Sequence, residues 1–146
     1  MDLILWRHAE AADGFPDSVR PLTDKGRKQA KSAGAWLRKR LPEEARILVS
    51  STVRTRETAE GLGRPFEIAD SVSPGGTAAG ILEAVGWPEG DGTVVLVGHQ
   101  PVLGHVAALI LTGEVYPFSV KKGAVWWFRG GKTEGPVLKL VHPAES

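Results

Sequence analysis

The chain has 146 residues, 42% of them apolar and 24% charged, a composition that suits a soluble globular protein long enough to bury a core. Its 18 Lys and Arg against 17 Asp and Glu leave a net charge of +1, which gives no support to a nucleic-acid partner or a polybasic membrane contact. The absence of cysteine excludes a disulfide scaffold, a thiolate metal site and a cysteine nucleophile, and no apolar run reaches the ~18 residues of a membrane span. A single cytoplasmic domain over residues 1–146 is the expectation, because the first apolar run, residues 3–6, is too short for a secretory leader.

Residues 3–6 (Leu-Ile-Leu-Trp) read as a short buried strand. The polar stretch from Glu10 to Pro21, with Gly14 and Pro16, shows no period. A loop of that length within a domain is more often functional than idle. From Thr23 the period becomes helical: Ala30, Ala33, Gly34, Leu37 and Leu41 share one face, and Lys28, Lys31 and Arg38 form the solvated one. Thr23 is the expected N-cap, Asp24 suits the first turn, and Pro42 is the expected stop. Residues 47–49 read as a second buried strand and 54–62 as a short helix halted by Gly63 and Pro65. An edge strand at 66–68 and a helix at 77–85 follow, then the most hydrophobic strand at 93–97 and an apolar helix at 102–111 after Pro101. Residues 124–128 and 137–141 read as an antiparallel pair joined by a Gly-rich loop. This alternation predicts a three-layer α/β/α fold with a mostly parallel central sheet and an antiparallel C-terminal strand pair.

Ligands of an open parallel sheet bind at the carboxyl ends of its strands. The first predicted strand ends in Arg7-His8, the second runs through Ser50-Ser51 to Arg54, and the central one ends in Gly98-His99-Gln100. Two guanidinium groups and two imidazoles at one sheet edge make an anion site, and a phosphoryl group fits the planar fork of arginine. The helix beginning near Arg54 offers backbone N–H groups and its positive dipole end. One neutral imidazole can attack phosphorus while the other donates to the developing charge, with no metal required.

Three segments carry a family resemblance. Arg7-His8-Ala9-Glu10 resembles the RHG-type signature of the histidine phosphatase (phosphoglycerate-mutase-like) superfamily. Residues 49–59 resemble its second motif and residues 97–101 its third. The phrase Asp17-Ser18-Val19-Arg20-Pro21-Leu22-Thr23 is similar, more narrowly, to the small bacterial phosphohistidine phosphatases of the SixA type. The resemblance implies that His8 is the nucleophile, that Arg7 and Arg54 grip the phosphoryl oxygens, that His99 is the second imidazole and that Arg20 adds a further cation. It implies a phosphatase working through a covalent phosphohistidine, without a cofactor.

The sequence departs from that pattern in two places. Position 9 is Ala where the signature usually has Gly, so its backbone should need no Gly-only conformation. No carboxylate stands between Ser71 and Ala79, and Glu83 falls late on its helix, so the general acid of larger members has no counterpart there. A strongly basic alkoxide leaving group needs such an acid, a contribution of roughly 10²–10⁴ in rate. An imidazole leaving group needs it far less. The expected substrate is therefore phosphohistidine on a partner protein, with a small phosphorylated metabolite as the alternative; Asp17 is the first candidate for a substitute acid and Glu10 the second. A phosphate-binding module without catalysis is the rival from a different class.

Arg56 suits a helix surface, His105 a structural place in an apolar helix, His142 an exposed one, and Ser50 and Ser51 the satisfying of backbone groups where strand turns to helix. No G-x-S-x-G elbow supports a serine hydrolase. A metal held by His8, Glu10 and His99 is disfavoured by the flanking arginines. Trp36, Trp87, Trp126 and Trp127 read as core or sheet-face residues.

Overall fold

Leu3, Ile4, Leu5 and Trp6 are all fully buried, and they form the middle of strand β1 (Asp2–Arg7) in the computed structural model, which describes residues 1–144. A strand buried on both faces needs cover on both, and the alternation of its side chains shows what supplies it. Leu3 and Leu5 join Leu96, Phe128, Ile81, Leu103 and Val106 in one core cluster. Ile4 and Trp6 join Val49, Val97, Leu37, Ala59 and Leu62 in another. Helices α1 (Asp24–Arg38) and α2 (Val53–Glu60) thus cover one face, and α3 (Ala78–Val85) and α4 (Val102–Thr112) the other.

The remaining strands are β2 (Arg46–Val49), β3 (Glu67–Ile68), β4 (Thr93–Gly98), β5 (Val125–Arg129) and β6 (Val137–His142). They form one six-stranded sheet in the order β3-β2-β4-β1-β5-β6. Strands β3, β2, β4 and β1 run parallel; β5 runs antiparallel to β1, and β6 to β5. The fold is the expected α/β class, with its parallel part and its antiparallel C-terminal pair in one sheet. Register sets the site: Arg7 lies beside Gly98 and Val49 beside Val97, so His8, Ser50 and His99 leave adjacent strands at nearly one level.

Thr23 caps α1 as expected, its Oγ1 accepting from Gly26 N at 3.0 Å. The helix ends at Arg38, however, well before Pro42. Leu41 is past its end, yet it still packs into the α1 side of the core through a turn in which Leu41 N donates to Leu37 O at 2.8 Å. A short 3-10 turn at Asp17–Val19 interrupts the stretch that carried no period, and another at Asp70–Val72 follows β3. His142 is half-buried rather than exposed, stacked on Trp36 with ring centroids 4.2 Å apart. Among the described residues no helix is long and apolar enough to cross a membrane.

Candidate active site

The end of β1 turns sharply into the loop before α1. His8 N donates to Gly98 O of the neighbouring strand at 3.0 Å, and Ala9 N donates to Thr58 Oγ1 of α2 at 3.0 Å. This holds the His8 ring in place, 6% exposed, with Nδ1 2.7 Å from Ala9 O. A carbonyl only accepts, so Nδ1 carries the hydrogen and Nε2 is left with its lone pair. Ala9 has no positive φ, in keeping with a residue other than Gly at that place.

His99 follows β4 and is 8% exposed; its ring centroid lies 5.4 Å from that of His8. Its Nε2 stands 2.7 Å from Ser50 Oγ, while its Nδ1 is buried without a hydrogen-bond partner among the described residues. Arg54, in the first turn of α2, is 6% exposed. It donates from Nη1 to Asp17 O at 2.8 Å and from Nη2 to Asp17 Oδ2 at 3.0 Å. Arg20 donates from Nε to Asp17 Oδ1 at 3.0 Å and from Nη1 to Ala12 O at 3.1 Å. Arg7 donates from Nη1 to Val120 O at 3.0 Å, which directs its guanidinium across the end of the sheet.

These side chains meet. A cavity of about 200 Å³ is lined by Arg7, His8, Ala11, Arg20, Arg54, His99, Gln100 and Lys122. It is about the right size for one tetrahedral oxyanion and its first contacts. A larger recess of about 630 Å³ shares Arg54, His99 and Gln100 with it and runs along residues 73–79, at the start of α3, to Val102, His105 and Val115. A phosphoryl group seated in the first cavity would place its leaving group in the second.

Burial sets the charge of both imidazoles. It drives His8 down to about 3, against the raising effect of the Ala9 contact, with the nearby His99, Arg54 and Arg7 adding to the depression. Burial and then the Arg54 guanidinium bring His99 down to about 4. Both rings are neutral near pH 7, the state that nucleophilic attack requires of one of them.

The family model described as histidine phosphatase superfamily (branch 1) matches residues 3–75. The phosphohistidine phosphatase SixA of Escherichia coli is 32% identical over 127 residues, covering 80% of this chain and 78% of that protein. The chain belongs to the histidine phosphatase superfamily. An uncharacterised protein of Picosynechococcus sp. is 33% identical over 163 residues, covering 98% of this chain and 97% of its own. A solved structure of the protein histidine phosphatase SixA complexed with tungstate superposes with a TM-score of 0.79 at 26% identity, over 97% of this chain and 96% of that one. As a member of this superfamily, the chain is a phosphatase that acts through a histidine.

Within this histidine phosphatase, Arg7, His8, Arg20, Arg54 and His99 come together as the sequence led one to expect, whereas the two candidate acids do not behave as such. Asp17 is ionised between two arginines, which hold its carboxyl below the usual range, Arg54 first and then Arg20. That lowering opposes a leaving-group acid role. Glu10 turns away from the cavity: its Oε2 accepts from Thr23 Oγ1 at 2.7 Å, tying the loop to the α1 cap. Of the residues of α2, Arg54 alone lines the smaller cavity. Arg56 is exposed, as expected, and Glu83 faces solvent on α3. Sequence reasoning missed Gln100 and Lys122 in the cavity lining. Gln100 had a signal in its place beside His99, but its side chain is held by Phe118 O and Gly104 N. Lys122 sits in an aperiodic loop before β5 and had none.

Proposed function

We propose that this phosphatase hydrolyses phosphohistidine on a partner protein through a covalent intermediate on His8. The observation that carries the reading is the His8 Nδ1 to Ala9 O contact at 2.7 Å, which leaves Nε2 as a lone pair at the wall of a cavity lined by three arginines. His8 Nε2 attacks phosphorus, and the bond between phosphorus and the substrate imidazole nitrogen breaks. The substrate ring departs with the electron pair and, already protonated on its other nitrogen, leaves as neutral imidazole. Arg7, Arg54 and Arg20 balance the charge on the phosphoryl oxygens, and His99 donates to one of them. Water then attacks phosphorus, the bond to His8 breaks, and inorganic phosphate leaves.

A weakly basic leaving group matches a site whose neighbouring carboxylate, Asp17 at the wall of the larger recess, is held ionised. The name of the Escherichia coli relative supports the same substrate class, and the tungstate complex of the similar solved structure supports an oxyanion ligand. A small phosphorylated metabolite is the second reading, favoured by the recess of about 630 Å³, which is roomy enough for an organic leaving group. The test is a rapid quench during turnover of a protein carrying radiolabelled phosphohistidine, run beside a panel of sugar and glycerate phosphates. Base-stable, acid-labile label on His8 and preference for the protein substrate are expected. Label on another residue refutes the nucleophile, and faster turnover of a metabolite refutes the substrate class.

A further inference from the structure

Ser50 directly follows β2 and is completely buried. Its backbone needs are met independently of its side chain: Ser50 N donates to Val97 O at 3.0 Å, and Ser50 O accepts from Thr55 Oγ1 at 2.8 Å. The sequence reading, in which its hydroxyl satisfies the backbone at the strand-to-helix turn, does not hold. Instead Oγ lies 2.7 Å from His99 Nε2, and among the described residues the hydroxyl has no other hydrogen-bond partner.

That isolation leaves two assignments of the hydrogen between them. If His99 donated from Nε2, the Ser50 hydroxyl hydrogen would be buried with nothing to receive it, a costly arrangement. If Ser50 donates, its hydrogen is used, and the hydrogen left without an acceptor in the protein is instead the one on the other ring nitrogen. The neutral ring then holds its single proton on Nδ1, the buried nitrogen with no partner. An anion in the cavity decides between the two, since a bare Nδ1 lone pair would repel a phosphoryl oxygen and an N–H would attract it.

We propose that Ser50 is a positioning residue: by donating its hydroxyl hydrogen to Nε2 it locks His99 in the Nδ1–H tautomer and makes Nδ1 a ready donor to the phosphoryl group. His8 and His99 then carry their protons on the same ring atom for opposite ends. The Ala9 carbonyl frees Nε2 of His8 to attack, and Ser50 occupies Nε2 of His99 so that Nδ1 can donate. The inference rests on reading the smaller cavity as the phosphoryl site, not on the identity of the leaving group.

The first test is a long-range proton–nitrogen correlation spectrum of protein labelled with 15N-histidine, with and without inorganic phosphate, the His99 signals being assigned by their loss in His99→Asn. A protonated Nδ1 and an unprotonated Nε2 are expected in both samples. A protonated Nε2 overturns the proposal in the wild-type protein alone, with no variant needing to fold. The second test is Ser50→Ala. The His99 signals should move toward a mixture of tautomers and kcat should fall by about a hundredfold, the lower end of the loss of one preorganised donor, with KM changed much less. A variant that keeps both the wild-type spectrum and the wild-type kcat refutes the role. A different residue labelled in the quench experiment would overturn His8 as nucleophile and leave the His99 tautomer standing, so the two failures are distinguishable.

Discussion

Asp17 turns its carboxylate onto Arg54, Oδ2 receiving Nη2 at 3.0 Å, while its own backbone carbonyl receives Nη1 of the same guanidinium at 2.8 Å. One loop residue thus engages both ends of an arginine that the catalytic reading assigns to the phosphoryl group. The side chain of Asp17 is 65% exposed and that of Arg54 only 7%, so the carboxylate lies over the arginine from the solvent side. Asp17 is an internal anion at the rim of an anion site. Its replacement by Asn keeps the backbone contact and removes the charge. Inorganic phosphate should bind Asp17→Asn severalfold more tightly, measured by titration calorimetry at low ionic strength. Weaker binding, or a kcat loss confined to alkyl phosphates, would restore Asp17 as a leaving-group acid.

The two imidazoles set the acid side of the pH profile. With His8 at about 3 and His99 at about 4, both stay neutral through pH 5, whereas an unperturbed pair would begin to protonate near ~6.5. Each lowered group is active in its unprotonated form, so activity is lost as pH falls through the lowered value. Carbon chemical shifts of the two rings, followed from pH 8 to 3, should show no midpoint above pH 5. A His8 midpoint near 6.5 would mean that burial does not hold the ring neutral.

The same depression has a cost in folding. Between pH ~6.5 and 5 the unfolded chain takes up protons on these histidines and the folded protein does not, so stability declines as pH falls through that window. From pH 7 to 5 each buried ring should account for about 2 kcal/mol of lost unfolding free energy. Urea denaturation of the wild type and of His8→Asn/His99→Asn at both pH values provides the measurement. The double variant should lose markedly less on acidification, and an identical loss in both proteins would place the acid sensitivity elsewhere.

Much of the frame was legible because buried parallel strands announce themselves. The runs in β1 and β4 have no polar residue to confuse the reading, and each delivers a catalytic candidate at its end. Thr23 was legible for a similarly local reason, a capping side chain directly ahead of a helical period. What stayed hidden depends on partners far apart in the chain. The Ser50–His99 contact spans 49 positions, and its meaning follows from the level ends of β2 and β4, which no single segment encodes. The posture of Asp17 is hidden likewise, because an aperiodic loop carries no mark of which arginine it will meet. Leu41 misled for a physical reason: it packs on the α1 side of the core without being helical.

The packing of α1 on α2 gives the final prediction. Gly34 in α1 and Gly61 just beyond α2 bring the two backbones so close that a Cβ at Gly34 would lie 2.1 Å from Gly61 O. Backbone cannot yield there as a flexible side chain would. In a free helix Gly34→Ala would gain about 1 kcal/mol from propensity. Here the two helices must separate, and overpacking of a well-packed contact costs roughly 1–3 kcal/mol, occasionally more. The variant should therefore be destabilised by up to about 2 kcal/mol in urea denaturation. Because α2 carries Arg54 and supplies Thr58 to the His8 turn, phosphate affinity should weaken as well, although position 34 does not line the cavity. A variant more stable than the wild type, with unchanged phosphate binding, would show that the helix contact can relax without moving the site.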